Sequence, residues 1–416
     1  MSPVASPDPD EPMSGAPVDH TAPTLPTVRP PGCPFDPPQE LLRAREHGPI
    51  SRYAFPDGHR GWLVTGYDLV RSVLADPRFS SRRELMTHHP TIDCSGIEIP
   101  PAPPGEFLLM DEPQHGRYRR PLARRFTARR MRLLAERVAQ VTAEHLDAME
   151  EAGPPADLVT AFARPVPAVM ICELLGVPYS DRGSFQEQVG SLMSGETSDE
   201  EQFVAYTAVQ RYLGELVAAK RAHPTDDVLS DLTDGDLTDE ELRGMSLILL
   251  AAGLDTTANM IALGTFALLQ DPAQLAALRT DPALADGAVE ELLRYLSVAK
   301  TFLRTALEDV ELGGRTIGAG TTVILSYHAA NRDPERFPRP HVLDLRRQDG
   351  GHLAFGHGVH LCLGQQLARV ELRVALPALL TRFPTLRLAV PAEEVRLRPE
   401  TADVFGVKSL PVSWDA

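Results

Sequence analysis

Residues 355–364 read Phe355-Gly356-His357-Gly358-Val359-His360-Leu361-Cys362-Leu363-Gly364, which places one cysteine in a glycine-punctuated loop. A helical apolar pattern from Gln365 to Leu379 follows at once. Glycine lacks a Cβ, so the backbone of such a loop can approach a flat cofactor closely. A thiolate at the start of a helix is stabilised by backbone N–H groups and the helix dipole. The stretch therefore indicates that Cys362 is a metal ligand; the alternative is a small buried hydrophobic side chain.

The size and composition of the chain suit a protein that encloses a cofactor. It has 416 residues, 43% of them hydrophobic, enough to build a large core. Residues 1–31 are rich in Pro, Asp, Ser and Thr, which predicts a disordered tail before a single catalytic domain over 32–416. The four cysteines form no CxxC pair, which argues against a zinc site and against a disulfide framework.

Charge and hydropathy restrict the partners. A formal net charge of −16 disfavours general affinity for nucleic acid or anionic membranes. The apolar stretch from Ser246 to Leu254 is far shorter than the roughly 20 residues of a membrane-spanning helix, and no signal-peptide pattern opens the chain. We expect a cytoplasmic protein that binds neither nucleic acid nor membrane.

One helix is unusually long. Thr238 and Glu241 form a capping box, and Asp271-Pro272 ends the helical pattern that follows. A helix of this length spans roughly 48 Å, enough to cross a whole domain. Strand patterns are short, as at Trp62 to Val64 and Val395 to Leu397. The predicted fold class is therefore mainly α with small β-sheets, built around a central, largely buried helix.

One face of this helix carries small and polar residues. Spacings of three and four place on that face Leu249, Ala252, Gly253, Thr256 and Met260. The small side chains leave room for a ligand, and the Thr256 hydroxyl can bond to the preceding turn or to water. Asp255 beside it can supply protons. The alternative is a buried helix whose small residues permit close packing and whose polar groups bond to the backbone.

The cysteine loop resembles the haem-binding loop of the cytochrome P450 family, Phe-x-x-Gly-x-(Arg/His)-x-Cys-x-Gly, at every defined position. The resemblance extends over about residues 33–416. It implies the P450 fold, with haem b between the long helix and the loop and Cys362 as the axial iron ligand. It also implies haem contacts from Phe355, Gly358, His360 and Gly364. A thiolate ligand favours cleavage of the O–O bond of dioxygen.

Residues 252–257 resemble the acid-alcohol pair in the central helix of the family. The resemblance implies that Ala252 and Gly253 lie against the haem and that Asp255 and Thr256 are catalytic, delivering protons during oxygen activation. In relatives that use hydrogen peroxide directly, an Arg-Pro pair typically replaces the acid and the alcohol. The sequence therefore disfavours a peroxygenase.

Two further patterns resemble family elements on either side of the haem. His115 and Arg119 are four residues apart and resemble a His-x-x-x-Arg clamp for the haem propionates, with Arg304 and His360 at the other usual positions. Each alone would be a surface cation or a satisfied core histidine.

Glu291 and Arg294 resemble the Glu-x-x-Arg element, a buried structural ion pair joined by Arg347 or Arg346. Leu343 stands where an aromatic residue is usual. Such spacing ordinarily indicates a solvated ion pair at the protein surface.

The segments that the resemblance places near the substrate are mostly apolar, which predicts a pocket for a bulky hydrophobic molecule. Core packing would explain them nearly as well. The predicted pocket residues are Ile97, Ile99, Leu249, Ala252, Lys300, Phe302, Val404 and Phe405. The final stretch, Leu386 to Trp414, resembles the actinobacterial branch that hydroxylates macrolides, polyenes and vitamin-D-like sterols, which suggests tailoring of a secondary metabolite.

The leading interpretation is a monooxygenase that hydroxylates or epoxidises its substrate with O₂. No flavin or ferredoxin motif occurs in the sequence, so electrons are expected from NAD(P)H through a ferredoxin reductase and a ferredoxin. Arg117 to Arg130 contains seven arginines and no acid, which fits either a solvated helix face or a docking site for an acidic ferredoxin. The alternatives are a hydrogen-peroxide-driven peroxygenase and a non-catalytic haem-binding sensor.

Overall fold

The computed structural model describes residues 29, 33–91, 93–126, 128–193, 198–399, 402 and 404–415. The predicted disordered tail, 1–31, lies outside these residues apart from Arg29. The α-helices are α1 Gln39–Glu46, α2 Tyr67–Ala75, α3 Gln114–Ala123, α4 Ala128–Ala152, α5 Pro165–Leu175, α6 Arg182–Met193, α7 Asp199–Ala222, α8 Val228–Thr233, α9 Asp239–Gln270, α10 Pro272–Thr280, α11 Ala285–Leu296, α12 Tyr327–Ala330 and α13 Gln365–Arg382. The strands are β1 Ile50–Ala54, β2 Arg60–Val64, β3 Phe79–Ser80, β4 Ala156–Asp157, β5 Thr301–Ala306, β6 Val310–Leu312, β7 Arg315–Ile317, β8 Thr322–Ser326, β9 Arg387–Leu388, β10 Arg396–Leu397, β11 Val407–Ser409 and β12 Pro411–Ser413.

The long helix α9 begins and ends where the sequence predicts. The Glu241 N–H donates to Thr238 Oγ1 at 3.2 Å, and the Thr238 N–H donates to Glu241 Oε2 at 2.8 Å, which completes the capping box. Asp271 then accepts the Gln274 N–H at 3.1 Å and caps α10. Helix α9 packs against α5, α7 and α13. Among the described residues only α9 is long and apolar enough to cross a bilayer, and most of it is buried inside the protein.

The strands form small sheets, of which the largest has the order β1-β2-β8-β5-β3. Its single parallel pairing joins β2 to β8, with Trp62 opposite Val323, and its other pairings are antiparallel. Strand β5 carries Arg304 into the interior, where that residue is 6% exposed. The predicted fold class, mainly α with small sheets, is confirmed.

A buried ion cluster joins α11 to the segment that precedes the cysteine loop. Arg294 donates to both carboxylate oxygens of Glu291, at 2.7 and 2.8 Å. Arg347 Nε donates to the same carboxylate at 3.0 Å, and all three side chains are at most 6% exposed. Arg346 instead lies at the surface, 61% exposed, 3.9 Å from Asp281. The structure thus selects Arg347 from the two candidates, because only its guanidinium faces inward.

Candidate active site

A cavity of about 930 Å³ lies between α9 and the cysteine loop. One wall comes from α9, and the opposite side comes from the loop and the first turns of α13. Apolar side chains dominate the lining, as a pocket for a hydrophobic ligand requires. Among the lining residues are Leu249, Ala252, Gly253, Thr256, Met260, Phe302, Phe355, Cys362, Gly364 and Leu367.

The loop presents Cys362 to this cavity. The Cys362 N–H donates to the Phe355 carbonyl at 2.9 Å, which closes the loop on itself. Gly358 has φ 71°, and a Cβ there would lie 2.2 Å from the carbonyl oxygen of Leu74. Glycine is therefore required at this position to pack the loop on α2. Gly358 is absent from the cavity lining; the structure shows its packing role, and its cofactor contact stays a prediction.

Burial controls the protonation of the Cys362 thiol. It raises the pKa of this thiol, while the N–H groups of Gly364 and Gln365 and the guanidinium groups of Arg119 and Arg369 oppose the rise. A cation bound to the sulfur would favour the thiolate, because a coordinating thiol is deprotonated. The Cys362 sulfur is thus buried, with backbone N–H and guanidinium groups around it that favour its thiolate form.

Four basic side chains gather at one end of the cavity. Arg119, Arg304 and His360 line it, and His115 packs directly behind His360 with ring centroids 4.1 Å apart. His115 is 1% exposed, and neither of its ring nitrogens has a hydrogen-bond partner among the described residues. The nearest carboxylate oxygen, on Glu112, is 3.7 Å from Nδ1, beyond hydrogen-bonding distance.

Burial keeps both imidazoles neutral in the protein alone. It is the largest cause that lowers the pKa of His360 to about 3, and the neighbouring His115, Arg304 and Arg119 lower it further. Burial also lowers the pKa of His115. Unpaired buried polar groups are costly, so the two unpartnered nitrogens of His115 and the neighbouring arginines suit an anionic ligand.

Thr256 and Asp255 occupy different positions relative to the cavity. Thr256 lines it, and its hydroxyl donates to the Ala252 carbonyl at 2.8 Å, which diverts it to the preceding turn as predicted. Asp255 does not line the cavity. Its carboxylate lies 2.5 Å from the Arg398 guanidinium and accepts from the Asn259 amide at 3.1 Å. The two adjacent side chains therefore point to opposite environments.

Glu371 is a cavity residue that the sequence analysis missed. It lies on α13 and is 3% exposed. It lines the cavity together with Thr257 of α9, to which it is hydrogen-bonded. Burial raises its pKa to about 8, although a hydrogen bond with Thr257 opposes the rise. The available signal was an acid on the apolar face of a helix, four residues after Leu367 and four before Ala375.

Only some of the residues predicted to form the substrate pocket line the cavity. Five of its eight residues line the cavity: Leu249, Ala252, Lys300, Phe302 and Val404. Ile97 is 60% exposed at the surface, Ile99 is half-buried away from the cavity, and Phe405 is buried in the core beneath the Arg29 guanidinium. For Phe405 the reason is local geometry: successive residues of an extended segment point to opposite sides, so Val404 faces the cavity and Phe405 does not.

The arginine-rich segment is largely neutralised within the protein. Arg117 pairs with Asp236 and Glu241, and Arg130 pairs with Asp226 and Asp231. Arg119 turns inward. The segment is therefore less positive at the surface than its sequence indicates, because acids from α8 and the start of α9 lie against it.

The chain is similar in sequence to known proteins over most of its length. A family model described as cytochrome P450 matches residues 214–415. Cytochrome P450 105C1 from a Streptomyces species is 51% identical over 383 residues, covering 91% of this chain and 96% of that protein. The chain belongs to the cytochrome P450 family.

Two further P450 comparisons extend over nearly the whole chain. The vitamin D3 dihydroxylase of Streptomyces griseolus is 42% identical and covers 94% of this chain and 97% of its own length. The crystal structure of CYP105P1 in complex with filipin I superimposes with a TM-score of 0.87 at 42% identity, covering 95% and 99% of the two chains. As a P450, the protein is a haem-thiolate monooxygenase that uses O₂ and an external source of electrons.

The residues present fit a haem. Cys362 provides a buried sulfur, and the glycine-rich loop faces small residues of α9 across the cavity. The unpartnered nitrogens of His115, together with Arg119, Arg304 and His360, offer donors for two carboxylates. Haem carries two such carboxylates, so the charges of the pocket and of the cofactor are complementary.

Proposed function

We propose that this P450 inserts one oxygen atom from O₂ into a bulky hydrophobic secondary metabolite, such as a macrolide or other polyketide or a terpenoid, by hydroxylation or epoxidation. The observation that carries the proposal is the Cys362 thiol at one side of a 930 Å³ cavity with Thr256 in its wall. One relative is named for dihydroxylation of vitamin D3, and one similar structure holds filipin I. Both support a large apolar substrate.

The haem would be held from three directions. Cys362 would bind the iron, and Phe355, Gly364, Ala252 and Gly253 would contact the macrocycle from the loop and from α9. The propionates would meet the cluster of basic residues formed by His115, Arg119, Arg304 and His360. When bound, a thiolate-ligated haem supplies reductive activation of O₂ and transfer of one oxygen atom to carbon.

Asp255 and Thr256 would supply the protons that this reaction consumes. Thr256 lies in the cavity wall, and its hydroxyl, bonded to the Ala252 carbonyl, can instead hold a water molecule. Asp255 is adjacent in sequence but faces Arg398, so it would pass protons to the cavity only after reorientation. This arrangement favours an O₂-dependent enzyme over both alternatives, the peroxygenase and the non-catalytic sensor, because neither needs a proton relay.

We further propose that electrons come from NAD(P)H through a ferredoxin reductase and a ferredoxin, in the cytoplasm. Arg124 and Arg129 are exposed, which leaves positive charge for an acidic partner after the internal ion pairs of the segment, including that of Arg120 with Glu112 at 3.3 Å, are formed. An exposed positive patch speeds the encounter with an acidic protein. Neither nucleic acid nor a membrane is expected as a partner of this acidic chain.

The decisive experiment replaces the proposed ligand. Cys362→Ser should abolish the red-shifted Soret band of the reduced carbon monoxide complex, whereas Cys94→Ser, a half-buried cysteine outside the cavity, should keep it. An unchanged spectrum in Cys362→Ser would contradict the assignment. Product formation in a reconstituted electron-transfer assay, absent when hydrogen peroxide alone is supplied, would separate the monooxygenase from the peroxygenase and the sensor.

A further inference from the structure

The C-terminal hairpin touches both the cavity and the acid of α9. It consists of β10, β11 and the described residues that connect them, and the Arg398 N–H donates to the Gly406 carbonyl at 2.9 Å across it. Val404 and Ala402 of this hairpin line the cavity. Arg398 of the same hairpin forms the ion pair with Asp255. One short element therefore lines the cavity on one side and contacts a proposed proton donor on the other.

The ion pair holds Asp255 away from the cavity. Its two atoms are 2.5 Å apart, and the Arg398 and Asp255 side chains are only 18% and 15% exposed. Solvent screens a pair at this depth less than it screens a surface pair. Asp255 is absent from the cavity lining, although its neighbour Thr256 belongs to it. Asp255 can reach the cavity only if this contact opens.

The hairpin backbone is also pressed against the next turn of α9. A Cβ at Gly406 would lie 1.7 Å from Asn259 Oδ1, so any larger residue there would displace the Asn259 side chain. Asn259 in turn donates to Asp255 twice, to the carboxylate at 3.1 Å and to the backbone carbonyl at 2.8 Å. Close-packed contacts of this kind transmit displacement, because they leave no free space to absorb it.

The cavity side of the hairpin is attached to the substrate wall. Val404 forms an isolated β-bridge with Ala299, and the Phe405 N–H donates to the Val298 carbonyl at 2.7 Å. Lys300 and Thr301, which follow directly, line the cavity. A bulky molecule that fills the cavity must therefore contact Val404 or residues bonded to it.

We propose that Arg398 is a positioning residue that keeps Asp255 outside the cavity until a substrate displaces the hairpin at Val404. Substrate binding favours the displaced hairpin, the ion pair opens, and Asp255 is released to relay protons past Thr256. A ligand can shift such an equilibrium only through contacts that differ between the two states, and Val404 provides them. The inference rests on the proposed function, because Asp255 is assigned its proton role there.

The test measures hydrogen peroxide release without substrate, where O₂, two electrons and two protons form H₂O₂. The haem-loaded enzyme receives electrons from excess surrogate ferredoxin and reductase. Arg398→Ala should release peroxide about tenfold faster than the wild type, because Asp255 is already free to relay protons. Arg398→Lys should restore the wild-type rate. Arg396→Ala, which removes an exposed arginine from the same hairpin, should not change it.

A second measurement does not depend on turnover. Hydrogen exchange of the Arg398 amide, followed by mass spectrometry, should accelerate when the azole clotrimazole fills the cavity of the haem-loaded wild type. Equal peroxide rates in Arg398→Ala and the wild type, or unchanged exchange despite a clotrimazole-induced spectral shift, would overturn the inference and leave the proposed function standing. Loss of the carbon monoxide signature in the wild type would instead overturn the proposed function and this inference with it.

Discussion

The imidazole rings of His115 and His360 lie with centroids 4.1 Å apart at an interplanar angle of 46°, although 245 residues separate them in the chain. His360 is in the cavity wall, and His115 is behind it with both nitrogens unpartnered among the described residues. The two neutral imidazoles, tilted against each other beside Arg119 and Arg304, would form an anion site assembled from three separate segments. This pair links the motif around Cys362 to helix α3.

His115→Phe should weaken haem retention while the fold persists, because a planar ring is kept and the buried N–H donor is lost. A hydrogen bond to a charged group contributes about 1.5–3 kcal/mol, so haem should dissociate roughly tenfold to a hundredfold faster. The rate is measured by transfer of haem to apomyoglobin. His145→Phe, at a half-buried histidine of α4 outside the cavity, provides the control. Equal transfer rates in the two variants would remove His115 from the haem site.

Thr256→Ala should leave haem binding intact but divert electrons from product to hydrogen peroxide. The hydroxyl that would hold water in the cavity wall is lost, whereas the helix loses only a bond to its own backbone. The matched control is Thr265→Ala, because Thr265 makes the same contact with Ile261 at 2.9 Å in the same helix and lies outside the cavity wall. Peroxide and product are quantified per NADPH consumed. Equally tight coupling in both variants would argue against a role for Thr256.

Glu371→Gln should change how stability depends on pH. The folded-state pKa of Glu371, about 8, is above its ordinary value of 4.5, so the folded protein binds the extra proton between these limits. The free energy of unfolding of the wild type therefore falls as the pH rises from about 4.5 to 8, by about 1.4 kcal/mol for each unit by which the pKa is raised. Above pH 8 this contribution no longer changes with pH. Glutamine cannot ionise, so the free energy of unfolding of the variant should rise relative to that of the wild type over that pH range.

The measurement for Glu371 is urea unfolding of the haem-loaded protein at pH 5, 6.5 and 8. Glu240→Gln, at an exposed position in the first turn of α9, should follow the wild type at every pH. A constant difference between Glu371→Gln and the wild type across the series would show that Glu371 titrates normally.

Arg347→Ala should destabilise the fold by about 3 kcal/mol, because it removes one partner of a buried carboxylate. Arg347 is 6% exposed and also donates to the Pro338 carbonyl at 2.7 Å. The neighbouring Arg346→Ala, at a position 61% exposed, should cost less than about 1 kcal/mol. Urea denaturation followed by the Soret band compares the two. If Arg347→Ala lost as little unfolding free energy as Arg346→Ala, the contact of Arg347 with the ion cluster around Glu291 would add no stability.

Much of this protein follows from local sequence. The loop that ends at Gly364 and the limits of α9 depend on backbone requirements within a few residues, such as glycine at a positive φ or a capping box. Such requirements act between neighbours in the chain. The sequence therefore indicated the Cys362 position and the central helix without reference to any distant segment.

Only the tertiary structure decided which distant side chains meet. It selected Arg347 over Arg346 and brought Arg398 to Asp255 across 143 residues of chain. It also buried Glu371 against α9 and turned Phe405 away from the cavity. These outcomes depend on how helices and hairpins pack, and the energy of such contacts comes from burial and from pairing with groups that no local pattern specifies.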